Sequence, residues 1–282
     1  MRARLAEAIG LDPNGIASLL LSQPAALGLG FVLSLWLVLH RAGSAGYERR
    51  TTAELLIAAY FGALTGGRLL DALTWGSAFW REPWRLLDPW FGGASTLGGL
   101  IGAVVVAALW ARRLRVDSVD FLDTIAPVAG ITVACFKLGC FLAGCCFGAR
   151  SNSLLAIRFP ASSMVYYHQV ASGLIDGHYQ SSLPVHPVQA YEAGWGLLVA
   201  LLLLLLDRRL RHWPGARFAL AASLLLVGRL AVETLRMPTG VRLLGLSGSQ
   251  IVCLVGLAGL GWLTLHRPSR TWLVAWFQPR GR

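Results

Sequence analysis

The chain has 282 residues, of which 55% are hydrophobic and only 14% charged, where a soluble domain carries about 25%. That composition, with a mean hydropathy of +0.59, excludes an ordinary soluble globular protein and points to a polytopic membrane protein. The formal net charge of +11 then reads as basic cytoplasmic loops and not as a nucleic-acid surface, so no nucleic-acid partner is expected.

Residues 1–15, MRARLAEAIGLDPNG, mix arginine with acidic residues, and no small-residue cleavage site follows a short apolar core. The first apolar stretch, 13–39, is therefore expected to stay as a span and not to be removed as a signal peptide. The next stretches are 53–75, which carries Arg68 and Asp71, and the charge-free 89–111. Residues 122–147 follow with Asp123 and Lys137, then 187–206 with Glu192. The last two are 217–236, with Arg229, Glu233 and Arg236, and the charge-free 243–265. Each is long enough for the roughly 20 residues that cross a bilayer. The predicted fold is all-α: an integral membrane protein of about seven transmembrane helices, forming one membrane domain over 1–282. Connections are short except for 148–186, which is predicted as an extracytoplasmic arm. There is no internal repeat, and the leucine run at 197–206 is span composition.

Orientation follows from Lys and Arg in the connections. The connections 41–52, 112–116 and 207–217 and the C-terminal tail hold fourteen basic residues; those on the alternate side hold eight. The C-terminus is expected in the cytoplasm, with the N-terminus and the arm outside.

Ionisable groups at bilayer depth are costly and face the bundle interior or a water-filled cavity. They fall on spans two, four, five and six, which are expected to surround a polar cavity. Arg229, Glu233 and Arg236 have helical spacing and share one face. Two cations and one anion leave a positive charge for a ligand, although structural ion pairs, also open to Arg68 with Asp71, would account for the same residues.

The segment CFKLGCFLAGCCFG, 135–148, holds four of the five cysteines around Lys137, the only lysine of the chain. Steps of five turn a straight helix by about 140°, so Cys135, Cys140 and Cys145 are expected to point in different directions. No zinc-like spacing accompanies them. Packing or pocket lining is the favoured reading, with redox and metal binding as alternatives and no metal expected. Gly139, Gly144 and Gly148 let a backbone or a ligand approach and break the span.

Five stretches in order resemble the prolipoprotein diacylglyceryl transferase family. They are WFGGASTLGGLIG (90–102), VDFLDTIAP (119–127), FKLGCFLAGCCFG (136–148), HPVQAYE (186–192) and GRLAVETLR (228–236). The departures are specific. The family's motif histidine falls on Leu97, its signature arginine on Lys137, its two asparagines on Cys140 and Ala143, and its glutamate on Cys145. The tyrosine expected in the first span has no counterpart. Residues that keep the pattern include Gly98, Gly99, Gly144, Gly148, His186, Gln189, Tyr191, Glu192, Arg229, Glu233 and Arg236.

The resemblance implies an enzyme of the bacterial plasma (inner) membrane that moves a diacylglyceryl group from phosphatidylglycerol to a cysteine thiol of a lipoprotein precursor peptide. No cofactor is implied. Arg229, Glu233, Lys137 and Glu192 are the candidate catalytic residues. Arg236, Cys140, Gly144, Gly148, Gly98, Gly99, His186, Gln189, Tyr191 and Arg68 are the candidate contacts to lipid or peptide. Fixed cations would balance charge building on a departing phosphate. A lysine at position 137 is a weaker clamp than an arginine, because it offers a point charge and no bidentate fork. The thiol proton would go to Glu192, Glu233 or one of His168, His178 and His186. Membrane lipid is expected to enter between spans bordered by glycine. A relative with another lipid or acceptor, and a lipid-binding or thiol-redox membrane protein, stay open as alternatives.

Overall fold

Seven helices of 18 to 26 residues and one of 8 form the regular structure of the described residues. The computed structural model describes residues 23–72, 96–161, 163–178, 180–236 and 245–265, together with Arg81 and Trp84. The helices are α1 (Gln23–Ser44), α2 (Arg49–Ala72), α3 (Thr96–Leu114), α4 (Ser118–Ala143), α5 (Met164–Ala171), α6 (Val188–Leu210), α7 (Ala216–Glu233) and α8 (Gly248–Leu265). Among the described residues there is no strand, only isolated bridges around the arm. By length and composition α1, α2, α4 and α6 are able to cross a membrane, and Gly248–Trp262 of α8 is a shorter apolar helix. Large apolar side chains such as Phe31, Ile57, Val104, Leu205 and Val255 lie exposed on these helices, as lipid-facing residues do.

All seven expected spans overlap a long helix, and the ends differ for local reasons. The expectation of 122–147 shifts to 118–143. The Asp117 carboxylate accepts the Val119 and Asp120 N–H groups and caps the start, and Gly144 turns left-handed at φ 68° to end the helix. The last span starts at 248 and not at 243, because Ser247 and Gln250 form a reciprocal capping box. Residues 13–22, 73–75, 89–95 and 243–244 of the expected spans lie outside the described residues.

The chain divides into two compact units, 38–125 with 262–282 and 1–37 with 126–261. In the first, α2 and α3 meet backbone to backbone. Gly62 and Gly66 of α2 and Gly98 and Gly102 of α3 form two small-xxx-small pairs, and a Cβ on any of them would run into the other helix's carbonyls. Such contacts replace the hydrophobic drive that a bilayer does not supply. This seam is glycine-bordered but closed at these four positions. Ala42, Leu55, Ala111, Val116 and Phe121 pack at the other end of the unit, where the Tyr47 hydroxyl donates to Asp120 Oδ2 at 2.7 Å.

In the second unit, Gly130 of α4 and Gly196 of α6 come into the same kind of contact. Trp195 of α6 lies against Gly228 of α7 and donates its indole N–H to the Leu224 carbonyl at 2.8 Å. Cys135 of α4 packs against Gly30 of α1. The arm folds onto the end of α4. Phe159, Val165 and Val185 form a small core with Phe141 and Phe147, and the buried Gln169 side chain accepts the Leu183 N–H at 2.7 Å. The capped helix α5 is held by Ser163, whose hydroxyl accepts from the Tyr166 N–H.

Candidate functional site

Four ionisable side chains of the second unit form one chain of ion pairs. Lys137 lies near the end of α4, Glu192 in the second turn of α6, and Arg229 and Glu233 in the last turns of α7. Lys137 Nζ meets Glu192 Oε2 at 2.7 Å, and Arg229 Nη1 meets Glu192 Oε1 at 2.8 Å. Arg229 Nη2 meets Glu233 Oε2 at 2.8 Å. The Ser247 hydroxyl donates to Glu233 Oε1 at 2.9 Å, and Arg229 Nη2 donates to Ser249 Oγ at 3.3 Å. Glu192 is 7% exposed and Lys137 15%, so neither charge stands without a partner in a place where an unpaired one would cost several kcal/mol, on the order of 3.

Glycine-framed backbone sets the other half of the site. At Gly144 an added Cβ would meet Ser163 and Phe159, so the turn admits no side chain there. The Cys145 N–H donates to the Cys140 carbonyl at 3.1 Å and closes the loop. Gln189 Nε2 donates to the Cys145 carbonyl, and Arg236 Nη2 donates to the Cys146 carbonyl at 3.4 Å. Gly148 pairs with His186 and with Arg236 through the backbone, at a place where a Cβ would strike the Leu235 carbonyl. His186 Nδ1 and the Tyr191 hydroxyl share a hydrogen bond at 3.3 Å.

Lys137, Glu192, Arg229 and Glu233 thus form the ion-paired half of the candidate site, and Cys140, Gly144, Gly148, His186, Gln189, Tyr191 and Arg236 belong to the loop half of the candidate site. The ion pairs use two carboxylates and two of the site's three cations. Arg236 is the third cation, and its Nε is buried without a hydrogen-bond partner. Arg68, Gly98 and Gly99 belong to the other unit. Gly98 lies against Gly66, and Gly99 faces the Ala63 carbonyl. The side chains of Asp71 and Leu97 lie outside the described residues, and with them the expected Arg68–Asp71 pair.

The cysteine geometry corrects the sequence reading. Helical steps of five scatter thiols only while the helix continues, and here it stops at Ala143. The turn folds Cys145 and Cys146 back, and their sulfurs and that of Cys140 lie within 4.8 Å of one another. Cys146 itself takes a positive φ of 57°. Hydrogen bonds from the Cys140 and Cys145 thiols, then the Lys137 and Arg236 charges, hold the Cys146 thiol well below the usual range. Ser247 and Ser249 were missed as site residues. Their only sequence signal is the Ser247-x-x-Gln250 capping pattern at the start of α8.

A family model described as prolipoprotein diacylglyceryl transferase matches residues 25–265. A phosphatidylglycerol–prolipoprotein diacylglyceryl transferase of Klebsiella pneumoniae is 30% identical over 263 residues, covering 86% of this chain and 88% of the relative. One from Erwinia tasmaniensis is 31% identical over 261 residues, covering 86% and 87%.

Proposed function

The chain belongs to the prolipoprotein diacylglyceryl transferase family and is a membrane transferase, and on that premise we propose that it moves diacylglyceryl from phosphatidylglycerol to a lipoprotein cysteine. The thiolate attacks the glyceryl carbon, the carbon–oxygen bond to phosphate breaks, and glycerol phosphate leaves. The nucleophile must first lose its proton, and the leaving phosphate must find cations already in place.

The observation that carries this reading is the surplus cation. Lys137 and Arg229 are held by Glu192 and Glu233, which fixes them without side-chain entropy left to lose on binding. Arg236 lies beside the signature loop with Nε unsatisfied, as suits a guanidinium kept for a phosphate oxygen. Arg229 and Lys137 then add field, and Glu192 and Glu233 position them. With both carboxylates engaged, His186, set by its bond to Tyr191, is the group we assign to take the thiol proton. Gln189, Gly144 and Gly148 fix the shape of the loop that would face the headgroup, with Cys140 buried behind it. Gly98 and Gly99 enter this reading through the family pattern alone, and Arg68 through its charge inside a span. The positive-residue bias supports an N-terminus outside and a C-terminus in the cytoplasm of a bacterial inner membrane, which a reporter fused at the C-terminus tests.

The experiment is complementation of bacteria depleted of their own transferase, following a lipoprotein precursor by mobility shift and lipid labelling. Conversion by the wild type, lost in Arg229→Ala and kept in Cys135→Ala, is the expected result. No conversion by well-expressed membrane-inserted protein would move the assignment to another acceptor or lipid.

A further inference from the structure

The reaction above uses no thiol of the protein, yet three stand together beside its ion pairs. Cys140 is buried, Cys145 half-buried and Cys146 exposed, and all are free. We propose that Cys140, Cys145 and Cys146 form a three-thiolate site for a soft d10 cation, Cu(I).

Geometry comes first. A metal–thiolate bond is about 2.3 Å, so three sulfurs in a plane around one ion stand about 4 Å apart. The three Sγ atoms already lie within 4.8 Å of one another, and shifts of a few tenths of an ångström at each side chain close the difference. The chelating turn is built before the ion arrives. Gly144 supplies the left-handed turn, the Cys145 N–H is bonded to the Cys140 carbonyl, and Gln189 and Arg236 hold the Cys145 and Cys146 carbonyls. The left-handed φ of Cys146, which a non-glycine residue adopts at a cost, is explained if its thiol is needed in the set.

Donor chemistry chooses the ion. Thiolates select soft metals. Among the described residues the group holds three sulfurs and no imidazole or carboxylate, whereas structural zinc takes four protein ligands. Cu(I) is satisfied by three. Binding forms three Cu–S bonds, leaves the metal's oxidation state unchanged and sends the thiol protons to solvent. The resulting anionic centre lies next to Arg236, the cation that the carboxylates do not neutralise. One bound ion would pin the end of α4 to the loop that Gln189 and Arg236 already hold. The site's existence does not depend on the transfer reaction, and its test does not read it.

The test is an anaerobic titration of the purified, detergent-solubilised chain with Cu(I) against a chromophoric Cu(I) chelator. All five thiols are first verified as reduced by thiol titration of the denatured protein. The expected result is one Cu(I) per chain withheld from the chelator. That equivalent is lost in Cys140→Ser, Cys145→Ser and Cys146→Ser, and kept in Cys135→Ser and Cys253→Ser. X-ray absorption of the loaded wild type adds a reading that needs no variant to fold, with three sulfur neighbours expected at about 2.3 Å. Release of all copper to the chelator, retention of the equivalent by the three serine variants, or fewer than three sulfur neighbours overturns the proposal.

Discussion

Arg229 reaches Glu192 across the packed pair α6 and α7, Nη1 to Oε1 at 2.8 Å, although 37 positions separate them in the chain. The other oxygen of the same carboxylate holds Lys137 at 2.7 Å. One carboxylate therefore ties three helices together, and its removal strands Lys137 and leaves Arg229 with Glu233 as its remaining carboxylate.

Glu192→Ala is expected to destabilise the protein by about 3 kcal/mol, the usual cost of breaking a buried pair from one side. The double variant Lys137→Met with Glu192→Ala should recover part of that loss, because one stranded charge goes with it. Thermal unfolding in detergent, read as a mutant cycle, measures both. Purely additive losses would show that the pair is not coupled.

Phosphate binding separates Arg236 from the paired cations. Arg236→Ala should lower kcat/KM for phosphatidylglycerol by roughly a hundredfold, the scale of one lost charge-stabilising donor, with the melting temperature little changed. Lys137→Arg should keep activity, since it adds a forked donor to the same carboxylate, while Lys137→Ala should lose it. Lipid transfer to a precursor peptide in micelles distinguishes these outcomes.

The α2–α3 seam predicts a steric series. Gly66→Ala and Gly102→Ala each push a methyl into the facing backbone and should cost about 2 kcal/mol or more. Gly28→Ala, where nothing lies within 4 Å, should be neutral or stabilising by less than about 1 kcal/mol. Detergent unfolding midpoints compare them.

Cys146 offers a prediction of opposite sign. Cys146→Gly should be more stable than Cys146→Ser by about 1 kcal/mol, because glycine occupies a positive φ without strain. Equal stabilities would mean that the turn relaxes when the thiol goes.

Tyr47 gives the pH dependence. Burial, then the hydrogen bond and charge of Asp120, push its phenol well above the usual range. The folded chain therefore keeps this proton where the unfolded chain has lost it. The contribution is present below the unfolded value, about 10, and is lost as pH rises beyond it. Wild-type stability should fall above about pH 10 more steeply than that of Tyr47→Phe, whose loss at neutral pH should be near 1 kcal/mol.

The seven apolar stretches were legible because a run of about 20 apolar residues has few other uses. The helix ends were less so, since Asp117, Gly144 and Ser247 act through single hydrogen bonds or one backbone angle. Arg229 and Glu233 could be paired from their spacing of four, and a leftover cation could be counted. That Lys137 and Glu192 close the chain depends on how α4, α6 and α7 pack, which no local pattern encodes. The approach of the Cys140, Cys145 and Cys146 sulfurs is not legible from helical angles, because it depends on the left-handed turn at Gly144 where the helix ends.

The glycine contact between α2 and α3 also has a mechanical meaning. The carbonyls of each helix press on the other's α-carbons, with the Leu70 and Val106 side chains packed alongside. At Gly62, Gly66, Gly98 and Gly102 the two backbones leave no room for an acyl chain, so the lipid path that the proposed transfer needs would have to run elsewhere.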